Sequence, residues 1–179
     1  MVAAAILASV TCAQPSPPAD PQFVSEWMRN YFGLIRAERI SPPVASRVLA
    51  YAAVALYEGL ATASPGLASL AGKLNGLDSL PRPEARKRYD PVLVALAAEH
   101  RVLDSLFVEV LPATRAALAT LTDSLEKARL AIGVSNGVQV DSRDLGERVG
   151  AAILVWASQD GCDQTRAKPY KPPTGPRFW

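Results

Sequence analysis

The sequence predicts an all-α fold, an antiparallel bundle of about five helices. Three observations carry that expectation. Apolar residues recur at three- and four-residue spacing in five separate stretches. Helix-start signals with proline in the first turn stand before four of them, at Asp20-Pro21, Ser41-Pro42-Pro43, Asp90-Pro91 and Pro112. No sustained alternation of apolar and polar residues marks a strand anywhere in the chain.

The first helix runs from Pro21 to about Arg36, with Phe23, Val24, Trp27, Tyr31, Leu34 and Ile35 on one face. The second, VASRVLAYAAVALYEGL after Pro43, is apolar almost all round. It reads as the buried central helix, because Arg47 and Glu58 interrupt the run and argue against a stable membrane span. Its stripe of Val44, Val48, Tyr51, Ala52, Ala55 and Gly59 is mostly small, which lets a neighbouring backbone approach closely. Residues 62–90 are rich in Ser, Gly and Pro and end in the basic run PRPEARKRYD, read as a solvated connection. Val92, Leu96, Leu103 and Leu106 mark the core face of the third helix. Leu118, Leu121, Leu125, Ala128 and Ile132 mark that of the fourth, which ends at Gly133. Asp141 is the expected cap of the fifth, which carries Leu145, Val149, Ala152, Ile153 and Trp156 and stops at Gly161.

Among the polar residues on these helices, Arg47, Glu58, Glu99 and His100 are the candidates for burial. A packed bundle must give each a partner or leave it at the rim, so all four read as structural rather than catalytic. Glu99 and His100 are expected on the flanks of the third helix, with Glu99 as an ion-pair partner for Arg47. No catalytic, cofactor-binding or metal-ligating residue is assigned. Phosphate loops of the GxGxxG or GxxxxGKS type are absent, as are HExxH and ExxH metal pairs. The Asp160-Gly161-Cys162-Asp163 turn lacks the ligand ladder of a calcium loop and reads as a helix stop.

Composition narrows the function classes. The 179 residues are 49% hydrophobic and 20% charged, suited to one domain with a real core. Nineteen basic against 17 acidic side chains leave a formal charge of +2, too even a balance for a nucleic-acid partner. Cys12 and Cys162 make neither a zinc site nor a disulfide framework. Residues 1–13, MVAAAILASVTCA, form an apolar run too short to span a bilayer, followed by a Pro-rich linker over 14–20. The run reads as a secretory signal peptide cleaved after Ala13, although it lacks the usual basic start, and it implies a periplasmic or secreted protein. The helical bundle then occupies 21–160, and residues 161–179 form an extended Pro-rich tail that stops without a closing element.

Two stretches carry a resemblance. SPPVASRVLAYAAVALYEGL, from Ser41 to Leu60, is similar to a helix beginning S-P-P-V-A-x-R and continuing into A-Y and A-L-Y-E. GAAILVWASQDG, followed by YKPPTGPRFW up to Trp179, is similar to a helix ending W-A-x-x-D-G and a segment Y-x-P-P-x-G-P-x-x-W. Both patterns belong to the vanadium-dependent haloperoxidase-related proteins of the phosphatidic acid phosphatase type 2 superfamily. The resemblance covers the chain from Asp20 onward, and its motifs are those of the scaffold rather than of the catalytic centre.

The resemblance implies the N-terminal part of a larger, two-bundle fold whose oxyanion site lies in the later half. There a Lys and an Arg, an S-G-H segment, then an Arg and a second His surround vanadate or phosphate. Such an anion needs several cationic donors on its equatorial oxygens and an axial His, with a second His for acid-base work. This chain has one histidine, His100, and no S-G-H. The expectation is therefore a scaffold lacking the catalytic half, with no cofactor of its own and vanadate in the parent protein if it is a haloperoxidase. Its expected partner is that missing C-terminal half; an uncovered apolar face would also favour an oligomer. Two alternatives stay open: the phosphatase branch, hydrolysing phosphate esters, and a non-enzymatic secreted module whose YKPPTGP tail offers an extended polyproline contact.

Overall fold

The prolines start helices where their sequence positions say they should. A computed structural model describes residues 20–107, 110–166, 168–169 and 171–177. Segment 1–13, expected to be a signal peptide, and all of the expected linker except Asp20 lie outside these residues. Six helices are present among them and no strand: α1 (Gln22–Ala37), α2 (Pro42–Ala63), α3 (Pro91–Leu106), α4 (Pro112–Leu130), α5 (Asn136–Ala157) and the short α6 (Cys162–Thr165). Proline suits the first turn of α2, α3 and α4 because the amide it lacks would have no helical acceptor there.

The centre of the molecule is α3. One face packs on α2 and another on α5, and residues 92–96 are buried all round. Gly59 of α2 meets the Ala95 backbone, while Gly146 and Gly150 of α5 lie over Val94, Ala98 and Arg101 of α3. Because residue numbers rise together along that contact, α3 and α5 run parallel, with consecutive helices of the bundle antiparallel. The G-x-x-x-G spacing puts both glycines on one α5 face, four residues apart, where a bare backbone can seat against the α3 ridge. Leu145, Val149 and Ile153 on the same side of α5 are fully buried. Each such side chain contributes about 1.5–3 kcal/mol relative to exposure.

A second cluster joins Trp27 and Tyr31 of α1 to Val48 and Ala52 of α2, Leu103 of α3, Phe107, and Leu118 of α4. Trp27 stacks on Tyr31 with ring centroids 4.9 Å apart, and Tyr31 meets the edge of Phe107 at 5.5 Å. α1 and α4 are peripheral; Ala128 and Ile132, expected on the core face of α4, are exposed.

Three further expectations meet differences. α5 starts at Asn136, not at Asp141, because the Ser135 hydroxyl accepts from the Val138 amide and Asp141 turns outward to Lys87. Within the tail, Gly161 takes a left-handed φ of 78° and α6 follows, held by the Thr165 hydroxyl donating to the Gly161 carbonyl. The 62–90 connection is solvated over 82–88 but anchored earlier: Leu77 is buried, the Tyr57 hydroxyl donates to the Ala68 carbonyl, and Trp156 Nε1 donates to the Asn75 carbonyl. α2 has the length and hydropathy to cross a membrane, yet nine of its residues, Glu58 among them, are buried within the bundle. It packs on α3 as one of the core helices, and α3 rather than α2 is the central one.

Candidate functional site

The two scaffold motifs meet in space. Arg47, from the first, reaches across to the end of α5, where its Nε lies 2.6 Å from Asp160 Oδ2 and its Nη2 donates to the Ala157 carbonyl at 3.2 Å. The Tyr51 hydroxyl, one turn along α2, donates to the same carboxylate at 3.1 Å, and the Cys162 amide donates to its other oxygen at 2.9 Å. Arg47 is thus half-buried and paired with Asp160, not with Glu99 as expected. The helical register decides this: Arg47 leaves α2 toward the C-terminal end of α5, whereas Glu99 lies inside the bundle.

This latch flanks a cleft of about 430 Å³ floored by Val44, Val48, Leu106 and Phe107 and edged by Glu38 and Cys162. Partial burial works against the Asp160 charge, but Arg47, the Cys162 amide and Tyr51 together outweigh it and hold the carboxyl below its usual range. Burial likewise opposes the Arg47 charge, and Asp160 more than compensates. Burial and the hydrogen bond to Asp160 push the Tyr51 hydroxyl up. A depressed carboxylate adds stability above its unfolded pKa and loses it as pH falls through the folded value. Asp160→Asn is therefore expected to lower the melting temperature by a few degrees at about neutral pH, a gap that closes as pH falls through the lowered Asp160 value. A thermal scan of both proteins across that range checks it; an unchanged gap in acid would exclude an ionic latch.

Glu58 is fully buried at the far end of α2 and staples the connection. Its Oε2 accepts from the Ser69 hydroxyl at 2.8 Å and its Oε1 from the Leu70 amide at 2.5 Å. Glu99 is not on a flank but fully buried, and neither carboxylate oxygen has a hydrogen-bond partner. Burial pushes its carboxyl well above the usual glutamate value.

His100, next along α3, is half-buried in a cleft of about 390 Å³ with Asp123, Glu126, Arg143, Asp144 and Glu147. Arg143 clamps Glu126 with contacts of 2.7 and 2.6 Å, and Gln139 adds a third at 3.1 Å. Partial burial opposes the Glu126 charge, but these donors hold its carboxyl low. Among the described residues no group of three His, Cys, Asp or Glu could hold a metal ion.

One buried constellation was missed in the sequence. Asp90, fully buried, caps α3 by accepting from the Val92 and Leu93 amides at 3.1 Å and also takes Arg129 of α4, Nη2 to Oδ2, at 2.9 Å. The Ser142 hydroxyl of α5 accepts from the Asp90 amide at 2.8 Å. The network ties three helices together. Its sequence signal was present: Arg129 falls four residues after Leu125 and three before Ile132, at the edge of an apolar stripe.

These groups hold structure; they do not converge on a reacting atom. Arg47, Arg129 and Arg143 each bind a carboxylate, and His100 faces acidic side chains.

No family profile matches the sequence, and no curated protein does. Among solved structures, the chain is similar to a bacterial vanadium-dependent iodoperoxidase, with 29% identity and a TM-score of 0.71. The match covers 92% of this chain and 40% of that one. The all-α scaffold of this protein is therefore a haloperoxidase-like fold, and the chain spans less than half the length of the protein it matches.

Proposed function

We propose that this chain is the N-terminal scaffold part of a vanadium-dependent haloperoxidase-like protein, with the oxyanion site supplied by a later helical half. The observation that supports this best is the likeness to the iodoperoxidase, which takes in nearly all of this chain and only 40% of that one. The carboxylate-bound arginines accord with a scaffold role, because cations already neutralised are poor ligands for an oxyanion. In the parent protein the activity would be peroxide-dependent oxidation of a halide, with vanadate as the cofactor. The apolar segment 1–13 supports export to the periplasm or beyond.

The test begins with the reading frame after the Trp179 codon. A continuation encoding Lys, Arg, S-G-H, Arg and His in that order is expected. The protein expressed from that frame should then turn iodide and peroxide into triiodide only when vanadate is added. Hydrolysis of p-nitrophenyl phosphate, inhibited by vanadate, would move the parent to the phosphatase branch of the superfamily. A stop directly after Trp179 would overturn the scaffold reading and leave a helical binding module.

A further inference from the structure

The orphaned acid beneath α1 sets up a second property of the fold. Glu99 stands on α3 between Ala95 and Leu103, close to the point where Tyr31 of α1 enters the bundle. Both carboxylate oxygens of Glu99 and the Tyr31 hydroxyl are buried without a hydrogen-bond partner. The other buried side chains around Tyr31 are apolar: Val48 and Ala52 from α2, Leu103 and Phe107, and Leu118 from α4. From α1, Tyr31 is the titratable group that senses Glu99; burial first, and then Glu99, pushes its hydroxyl well up. α5 packs on the opposite side of α3 through Gly146 and Gly150. No cation among the described residues pairs with Glu99.

We infer that Glu99 makes α1 a proton-gated cover, seated while the carboxyl is neutral and released from its N-terminal end when the carboxyl ionises. A charge cannot persist in that cluster, so ionisation must bring water to Glu99 or move Glu99 to water. α1 is the element that can yield. The α2–α3–α5 core is locked by backbone-to-backbone approach at Gly59, Gly146 and Gly150, whereas α1 is held by the side chains of one cluster. Its C-terminal end stays tethered, because Glu38 accepts hydrogen bonds from the Leu111 amide and the Thr114 hydroxyl at the start of α4. Lifting the other end uncovers Trp27, Tyr31 and Phe107.

The sign follows from linkage. A carboxyl raised in the folded state stabilises that state below its unfolded pKa, and the contribution is lost as pH rises through the folded value. Opening of α1 is therefore expected to become about tenfold more favourable per pH unit above the ordinary glutamate value, levelling off at the raised value. Hydrogen exchange of the α1 amides, corrected for intrinsic rates, reads this directly. In Glu99→Gln the α1 opening should be flat with pH, while α3 and α5 amides remain protected in both proteins. Should the amide variant fail to fold, Glu99→Met serves, since it removes the ionisation and fills the same space. Equal slopes in native and variant proteins, a flat native profile, or α3 and α5 opening in step with α1 would each overturn the cover.

Discussion

Gly150→Ala is expected to destabilise the protein, against the ordinary rule that alanine improves a helix. A Cβ at Gly150 would stand 2.6 Å from the Ala98 carbonyl oxygen and 2.8 Å from Arg101 Cβ, and one at Gly146 would stand 2.6 Å from Ala97 Cβ. Helix propensity alone favours alanine by about 1 kcal/mol. Forcing an atom into a closed helix contact costs about 1–3 kcal/mol, and more where backbone must move. At these two positions the neighbours include α3 backbone and β-carbons, which cannot swing aside, so sterics win. The net loss should be about 1–2 kcal/mol for either substitution, a fall of several degrees in melting temperature. Gly33 of α1 supplies the opposite sign, because nothing lies within 4 Å of its missing Cβ. Gly33→Ala should raise stability by about 0.5–1 kcal/mol. Denaturant titrations of the three variants decide the matter. A stabilised Gly150→Ala protein would mean that α3 and α5 do not approach this closely.

Arg129→Met should have the larger effect. It removes the guanidinium from a carboxylate that is fully buried, in a pair where Arg129 itself is 8% exposed. Breaking a buried pair from one side typically costs about 3–5 kcal/mol, since the charge left behind has lost its compensation. That is a large share of the about 5–15 kcal/mol that holds a domain folded. Two amides still satisfy Asp90 in the variant, which places the expected loss toward the lower end of that range. Asp90→Asn should cost less, because an asparagine oxygen still caps α3. A double-mutant cycle with both changes measures the coupling. The exposed Arg148–Glu84 pair, at 3.3 Å, is the comparison: Arg148→Met should change stability by less than about 1 kcal/mol. If the two arginine variants lost equal stability, the buried network would not be what joins α3, α4 and α5.

Local chemistry made much of the architecture readable in advance. Proline after Ser41, Asp90 and Leu111 begins three helices, because a fixed φ and a missing amide suit a first turn, and Pro21 stands just ahead of α1 as its N-cap residue. Three- and four-residue spacing placed Trp27, Tyr31, Val48, Leu103, Leu118, Leu145, Val149 and Ile153 inside, and all are buried. The presence of polar residues on apolar helices was likewise visible at Arg47, Glu58, Glu99 and His100.

What those polar residues meet was decided only by tertiary structure. Helical angle says on which side of its own helix a residue stands, not which helix lies there. Arg47 therefore found Asp160 of α5 rather than Glu99, Glu58 found the connection that follows its own helix, and Glu99 found no partner. The parallel seat of α5 on α3 is also tertiary in origin. Gly146 and Gly150 record it in the sequence, but the requirement for bare backbone arises only when two helices meet at that distance. Local propensity thus set the elements and their inner faces. The pairing of charges, the orphaned acid and the close helix contact came from long-range packing, which no window of neighbouring residues contains.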